Sequence, residues 1–306
     1  MTTSHPSKIL IGLAFFAIYF IWGTTYLAVL WGLEGMEPFV LSSLRYTIAG
    51  ILMSVFCFVS KYSWPDLKAT KTAFISGTIM LVGGTGLVAL SEKYIGSGHA
   101  AVVIATEPLW FLILDKKRWK EYLKQPRVIF GLIIGFLGVV LFSYFTSGDS
   151  GSHQNELTGT LVTLAASVLW VVGALYYEKS KEAKRHPHVV MVAIQLSSAG
   201  LMSALIALLL GEWMEFSVSA IGFRAWAGLG FLVTMGSIVA FMAFTWLMKV
   251  QPPAVVSTHT YVNPVVAVFI GWLFADEQIT GIQFFSLVIV LIGVLLTQLP
   301  GTRKAG

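Results

Sequence analysis

A glutamate and an asparagine, each followed by a proline, stand in the middle of long apolar stretches of this chain. These pairs are Glu107-Pro108 in "VVIATEPLWFLI" and Asn263-Pro264 in "YVNPVVAVFI". An acid inside an apolar segment can line a cavity, exchange a proton or hydrogen-bond a neighbouring helix. A proline removes a backbone hydrogen bond and frees a carbonyl group about one turn earlier, which a bilayer tolerates only beside protein or a wet cavity. Both pairs therefore predict a helix break and a polar site in an apolar environment.

Aromatic residues provide a second group of candidates for binding a small molecule. Trp22 and Trp170 fall near the middle of their apolar stretches, away from the membrane interfaces where Trp usually collects. Thr25 and Tyr26 share a helical face with Trp22, at i+3 and i+4. Aromatic rings in a cavity could stack on an apolar or aromatic substrate, and ordinary helix packing is the alternative for either Trp.

Three further residues complete the predicted site. His259 stands four residues before Asn263, so the two side chains can face the same way. Arg45 could grip a substrate carboxylate or pair with Glu107, or it could serve only orientation and packing. Trp110 lies one turn beyond Glu107. No spacing of candidate ligands suits a metal, and no cofactor motif is present in the sequence, so we expect no metal and no cofactor.

The composition identifies the elements that must position these residues. Of 306 residues, 56% are hydrophobic and 11% are charged, which is too little charge to cover the surface of a soluble domain. Apolar runs of about twenty residues predict membrane-spanning helices, and hence an all-α integral membrane protein. Ten spans are predicted, at residues 9–32, 38–60, 72–91, 98–114, 127–146, 157–178, 188–210, 225–248, 253–275 and 281–299.

The distribution of Lys and Arg predicts the orientation of these spans. With the N-terminus in the cytoplasm, every Lys and Arg falls on the cytoplasmic side except Arg45, Lys93 and Arg224. Such an asymmetry predicts that both termini are cytoplasmic. The net charge of +5 therefore indicates membrane orientation, because the cations lie in loops between spans, and nucleic acid is not an expected partner.

The second half of the sequence echoes the first. "EPLWFLILDKKRWKE" from Glu107 lies over "NPVVAVFIGWLFADE" from Asn263, and "GVVL" lies over "GVLL" farther on. Five spans per half is an odd number, so the halves must enter the membrane from opposite faces. We predict one membrane domain of two inverted-topology repeats, residues 1–150 and 151–306, around a central cavity. Polar residues and broken helices at the midplane of such repeats indicate the binding site.

These segments resemble an EamA-type member of the drug/metabolite transporter superfamily over nearly the whole chain. The motifs that carry the resemblance are "IWGTTY", "SGHAAVVIATEPLW", "PPAVVSTHTYVNPVVAVFIGWLFADE" and "LIGVLL". The resemblance implies two inverted five-helix repeats, with spans five and ten outside a central cavity. It also implies bacterial export of small metabolites by alternating access, and the YedA-like exporter branch is the most similar. Such proteins usually carry an uncharged residue where this chain has Glu107, so a coupling role for that acid does not follow from the family.

The expected function is that of a secondary transporter in the bacterial cytoplasmic membrane. It would export small neutral or zwitterionic metabolites, amino acids above all, because the site has one acid and few cations. The expected partners are the small-molecule substrate, the lipid bilayer and, if Glu107 is coupled, protons; the oligomeric state stays open. A passive channel or facilitator is one alternative. An integral membrane enzyme is the other, although it would need a catalytic cluster that the sequence does not offer.

Replacement of Glu107 by Gln tests whether the acid acts in transport. We expect Glu107→Gln to retain the fold, because Gln has the same shape, and to change transport or its dependence on pH, because Gln cannot carry a charge. Transport assays over a range of pH would check this. A variant with unchanged transport at every pH would remove Glu107 from the mechanism.

Overall fold

The computed structural model describes residues 7–91, 94–95, 97–146, 156–274 and 280–298, and these residues form helices and turns without strands. Seven helices in this part of the chain are long and apolar enough to cross a membrane: Lys8–Leu33, Pro38–Val59, Leu67–Ser91, Leu157–Lys179, His188–Leu209, Phe223–Val250 and Gly281–Gln298. An eighth span results if Lys116–Leu123 and Pro126–Phe142, which meet at a bend of 101°, are counted as one. The protein is therefore an all-α integral membrane protein.

The helices are numbered here in chain order. They are α1 (Lys8–Leu33), α2 (Pro38–Val59), α3 (Leu67–Ser91), α4 (Ser97–Ile104), α5 (Glu107–Leu114), α6 (Trp119–Leu123), α7 (Pro126–Thr146), α8 (Glu156–Lys179), α9 (His188–Leu209), α10 (Glu212–Glu215), α11 (Phe223–Val250), α12 (Pro253–Val256), α13 (His259–Phe274) and α14 (Gly281–Gln298).

Local chemistry sets several of these helix ends. Asp66 caps α3, because its carboxylate accepts a hydrogen bond from the Ala69 N–H at 2.8 Å, and this bond is the main reason that the pKa of Asp66 is lowered. Glu212 caps α2 from the far side of the sequence, since its Oε2 accepts from the N–H groups of Phe39 and Val40 at 2.8 and 3.1 Å. Such caps satisfy backbone donors that the first helical turn leaves without partners.

Close helix pairs organise the bundle. Helix α2 packs along α9, α7 along α14, α3 along α8 and α1 along α11. The α2–α9 contact depends on glycine, because a Cβ atom at Gly50 would lie only 2.8 Å from the backbone nitrogen of Ser197. Small residues of this kind let two membrane helices approach until their backbones touch.

Two predicted spans are interrupted, but the interruptions do not fall at the prolines. Predicted span four breaks at residues 105–106, so Pro108 is the second residue of α5, where a missing N–H costs little. Predicted span nine breaks at residues 257–258, and the prediction of a break at Pro264 is wrong, because Pro264 lies inside α13. Hydroxyl groups satisfy carbonyl groups at both breaks: Thr106 donates to the carbonyl of Val103 at 2.6 Å, and Thr258 donates to that of Val255 at 2.7 Å.

Three helices also contain π-helical segments, in which the hydrogen bonds skip one residue more than in an α-helix. These segments are Ala17–Ile21 in α1, Thr78–Gly86 in α3 and Leu232–Ala240 in α11. Segments of this type occur often at functional sites, since they turn side chains away from the regular helical positions. All three lie within a few residues of the cavity described next.

Candidate functional site

A cavity of about 830 Å³ lies between helices from both halves of the sequence. Its wall extends from Trp22, near the middle of α1, to Met36 and Glu37 at the turn between α1 and α2. We call the end at this turn the mouth, and the end at Trp22 the deep end. The wall also includes Ala101 of α4 and Glu107 of α5. From α4 to α5 the chain runs from the mouth toward the deep end.

The cavity wall contains all of the predicted binding residues except Trp110. These wall residues are Trp22, Thr25, Tyr26, Arg45, Glu107, Trp170, His259 and Asn263, and the predicted helix-break residue Pro264 joins them. Trp110 is not among the residues of this wall. Its indole N–H donates to the Thr106 hydroxyl at 3.0 Å, and this bond holds the ring along α5 itself. The helix break at residues 105–106 provides that hydroxyl.

Four rings form an aromatic cluster at the deep end: Trp22, Trp170, Phe244 and His259. The ring centroids of Trp22 and His259 are 4.7 Å apart, and those of Trp22 and Trp170 are 5.7 Å apart, both in edge-to-face arrangements. Phe244 lies 5.3 Å from each tryptophan ring. Edge-to-face pairs of this kind add about 0.5–1.5 kcal/mol beyond the burial of area. Phe244 could not be singled out from the sequence, because it is one of several phenylalanines in the apolar helix α11.

Three polar atoms of these wall residues have no hydrogen-bond partner within the described part of the chain: Glu107 Oε2, Trp170 Nε1 and His259 Nε2. Their side chains are buried. Asn263 differs, because in the orientation that satisfies its surroundings its amide donates to the main-chain oxygens of His259 at 2.8 Å and Tyr19 at 3.2 Å. A buried polar group without a partner is costly. Such atoms also occur elsewhere in the described part of the chain, for example Tyr177 Oη and Ser203 Oγ, but the deep end brings three of them to one cavity.

Arg45 lies in the wall of the cavity and is held by its neighbours. Its Nε donates to the Ser237 hydroxyl at 2.7 Å, and its guanidinium carbon lies 4.9 Å from the centroid of the Tyr46 ring. The Tyr46 hydroxyl is in turn 2.7 Å from the Thr85 hydroxyl. Among the described residues, no ion pair joins Arg45 to Glu107, so that alternative is not realised. Sequence reasoning missed Ser237, although a serine inside an apolar span could have indicated it.

Beyond the aromatic cluster, away from the mouth, hydroxyl groups connect distant helices. The Tyr19 hydroxyl of α1 is 2.7 Å from the Thr258 hydroxyl at the second helix break. It also accepts a hydrogen bond at 2.9 Å from the side-chain amide of Gln298, at the end of α14. The deep end of the cavity is therefore separated from the far end of the bundle by packed rings and by these hydrogen bonds.

An ion-pair cluster ties the end of α5 to the end of α8, on the side of the bundle opposite the mouth. Arg118 lies 3.6 Å from Asp115 and 3.7 Å from Glu178, and Lys184 lies 3.0 Å from Glu178. Lys179 approaches Asp115 at 4.0 Å. Burial raises the pKa of Asp115, although Lys179 and Arg118 act in the opposite direction. Desolvation prevails because these ion-pair distances are long, while the carboxyl group is almost completely buried.

Loss of Arg118 should destabilise the protein in a manner that depends on pH. We expect Arg118→Met to lower the free energy of unfolding by about 1–3 kcal/mol at neutral pH, because it leaves a buried carboxylate with one cation fewer. A raised pKa means that Asp115 stabilises the fold most in acid and that this stabilisation is lost as pH rises. Without Arg118 this loss grows, so the deficit should be larger at neutral than at acidic pH.

Thermal unfolding in detergent at several pH values would measure the effect of Arg118→Met. Lys117→Met is the matched control, since it removes the same charge from an exposed side chain of the same turn. A deficit that is equal at acidic and neutral pH, or equal in the two variants, would contradict the ion-pair interpretation.

Comparisons with known proteins bear on the whole chain. The model of the EamA-like transporter family matches residues 9–144 and 157–299. The uncharacterized inner membrane transporter YedA of Escherichia coli (strain K12) is 30% identical over 287 residues, which cover 94% of this chain and 90% of YedA. The uncharacterized transporter YoaV of Bacillus subtilis (strain 168) is 22% identical over 304 residues, covering 97% and 99%. A solved crystal structure with 19% identity superposes with a TM-score of 0.77 and covers 95% of this chain and 97% of its own, which supports the fold alone.

Proposed function

Because this chain belongs to the EamA-like transporter family, we propose that it is a secondary transporter that exports small neutral or zwitterionic metabolites, amino acids above all, by alternating access. One observation carries the proposal: a cavity between the two halves reaches one end of the bundle and stops at packed rings near the middle. A carrier needs such a site with access from one side at a time. An open pore would need a continuous path.

The size and chemistry of the cavity fit a small metabolite. Its volume of about 830 Å³ falls within the range of about 300–1,000 Å³ that is common for small-molecule sites. The wall is mainly apolar and aromatic, with the cation Arg45, the acid Glu107 and, at the mouth, the acid Glu37. Opposite charges in one cavity favour a neutral or zwitterionic substrate over a polyanion.

The proposed architecture has ten spans in two inverted five-helix repeats. Exchange of the halves relates α1 to α8, α2 to α9, α3 to α11, and α7 to α14. Under this exchange the α1–α11 contact becomes α8–α3, while α2–α9 and α7–α14 map onto themselves, and all four contacts occur. The π-helical segments Thr78–Gly86 and Leu232–Ala240 correspond, as do the breaks at residues 105–106 and 257–258. The family model also matches each half once, which supports repeats of residues 1–150 and 151–306.

The proposed location is the cytoplasmic membrane of a bacterium, with both termini in the cytoplasm. YedA is named as an inner membrane transporter, and the Lys and Arg residues of this chain gather on one side of the predicted spans. In that orientation the mouth, at the turn between α1 and α2, faces the outside. The ion-pair cluster around Asp115 then lies at the cytoplasmic end, where it would hold the inner side closed.

Counterflow in proteoliposomes tests the proposed transport directly. Vesicles are preloaded with single unlabelled amino acids or other small metabolites, and the uptake of the same labelled compound is followed. We expect transient accumulation that saturates and that a competitor reduces, because a carrier exchanges substrates through one site. Protein-free vesicles are the control. Flux that never saturates would favour a pore, and no flux across a broad panel with folded protein would contradict the proposed substrate class.

A further inference from the structure

The deep end of the cavity has more polar groups than the protein itself satisfies. Glu107 Oε2, Trp170 Nε1 and His259 Nε2 lack partners among the described residues, although their side chains are only 6, 6 and 4% exposed. They come from α5, α8 and α13, which surround one cavity. Most buried polar groups in folded proteins have a partner. The three atoms are themselves covered by neighbouring protein atoms, so a ligand in the cavity reaches them only when wall side chains turn toward it. Their grouping around one space favours a ligand of that kind.

The carboxyl group of Glu107 determines the charge of that ligand. Arg45, the cationic side chain in the wall, uses its Nε for Ser237 and stacks on Tyr46. No ion pair reaches Glu107 within the described part of the chain. A carboxylate forms its strongest hydrogen bonds with a cationic donor, and an ammonium group offers three N–H bonds. A cation would therefore be the most favourable partner for Glu107.

The surrounding rings favour the same ligand. Trp22, Trp170, Phe244 and His259 pack around one another at the deep end, and aromatic faces attract cations through their quadrupoles. Trp22, Trp170 and His259 line the cavity and provide an apolar surface for the rest of a small molecule, while Phe244 is fully buried and packs against the two tryptophan rings.

We propose that the deep end of the cavity is a subsite for a protonated primary amine, in which Glu107 binds the ammonium group and the aromatic cluster binds the apolar body. Binding of the amine is independent of the proposed function. Only the further statement that the amine is the transported substrate rests on that function. Two sources share this chemistry. A simple amine would use the deep end alone, whereas an amino acid would also bring a carboxylate toward Arg45.

Calorimetric titration of the purified full chain in detergent tests the subsite with four compounds that share a phenyl body. They are 2-phenylethylamine, phenylalanine, 3-phenylpropionate and 2-phenylethanol. We expect both amines to bind at least about tenfold more tightly than the two compounds without an amine, as a charged hydrogen bond in a buried site should give. Tighter binding of phenylalanine than of 2-phenylethylamine indicates an amino acid, and the reverse order indicates a simple amine; both orders support the subsite.

Substitutions of Glu107 test which residue recognises the amine. Glu107→Gln should lose about tenfold or more in affinity for the amines and leave the other two compounds unchanged, whereas Glu107→Asp should retain part of the preference. Glu34→Gln is the matched control, because Glu34 is exposed just after α1 and lies outside the cavity wall. Gel filtration and thermal unfolding report whether each variant is folded, and the comparison of four compounds on the unsubstituted protein stands if Glu107→Gln fails to fold.

The outcomes separate this inference from the proposed transport. Equal affinity of the unsubstituted protein for amines and non-amines, or no amine binding at up to about 10 mM, overturns the subsite. Retention of the amine preference by folded Glu107→Gln overturns it as well. Amine binding at Glu107 without counterflow would leave the subsite standing and the transport proposal in error. Counterflow of compounds without an amine, together with equal binding of amines and non-amines, would support transport and overturn the subsite.

Discussion

Truncation of Trp22 to alanine is expected to lower counterflow at subsaturating substrate by about tenfold or more. Trp22 lines the cavity and contacts the rings of Trp170, Phe244 and His259, so its removal opens the deep end on all sides. Buried aromatic residues at the centre of a binding site commonly contribute about 2 kcal/mol or more, which corresponds to about thirtyfold in affinity. The indole N–H bond to the carbonyl of Gly236, at 3.1 Å, is lost as well.

Two further variants separate binding from folding in this test. Trp22→Phe retains an aromatic ring and should retain the fold, with an intermediate loss of transport. Trp213→Ala removes the same side chain from α10, away from the cavity wall, where the indole N–H donates to the carbonyl of Ala204 at 3.1 Å. We expect Trp213→Ala to lower thermal stability and to keep counterflow. Equal transport by Trp22→Ala and Trp213→Ala would show that Trp22 has only a packing role.

Addition of one methyl group at Gly50 is expected to destabilise the bundle by about 2 kcal/mol or more. The new Cβ would lie 2.8 Å from the nitrogen and 2.9 Å from the Cα of Ser197, on the facing helix α9. Backbone atoms cannot move aside as a side chain can, so α2 and α9 would have to separate. Because this pair joins the two proposed repeats, the loss should appear in the unfolding of the whole protein.

Thermal unfolding of Gly50→Ala in detergent would measure this effect. Gly230→Ala is the matched control, since the same methyl group on α11 would have nothing within 4 Å. Alanine has the higher helix propensity, so the control should be neutral or slightly stabilising. Opposite changes in the two variants would support the close α2–α9 contact, and equal changes would contradict it.

The class of fold could be predicted from the sequence, because the apolar composition that makes helices span a membrane can be read directly from it. Long apolar runs are expected to be membrane helices, and seven helices in the described part of the chain meet that description. The positions of helix breaks were harder to predict. Proline indicated that a break was needed, but the breaks fall at residues 105–106 and 257–258, and Pro264 remains inside α13. The hydroxyl groups of Thr106 and Thr258 satisfy carbonyl groups there.

Part of the candidate site could also be predicted from the sequence. Glu107, Asn263 and His259 stand out because polar residues in apolar spans are costly, and the structure places them in one wall. Phe244 was invisible, since a phenylalanine in an apolar helix has no distinctive pattern. The orientation of Trp110 depends on its hydrogen bond to Thr106, at a helix break. Helical periodicity alone cannot predict such a bond.

The central claim is that the cavity is the substrate site and that it opens to the outside. Labelling of a cysteine at Ser42, in the cavity wall, tests it most directly, with the chain's one natural cysteine, buried Cys57, replaced by serine. A membrane-impermeant maleimide should modify Ser42→Cys in intact cells, and saturating counterflow substrate should slow the reaction. Ser60→Cys, exposed at the other end of α2, should react only after permeabilisation. Modification of Ser42→Cys only after permeabilisation, or at a rate that substrate does not change, would contradict the account.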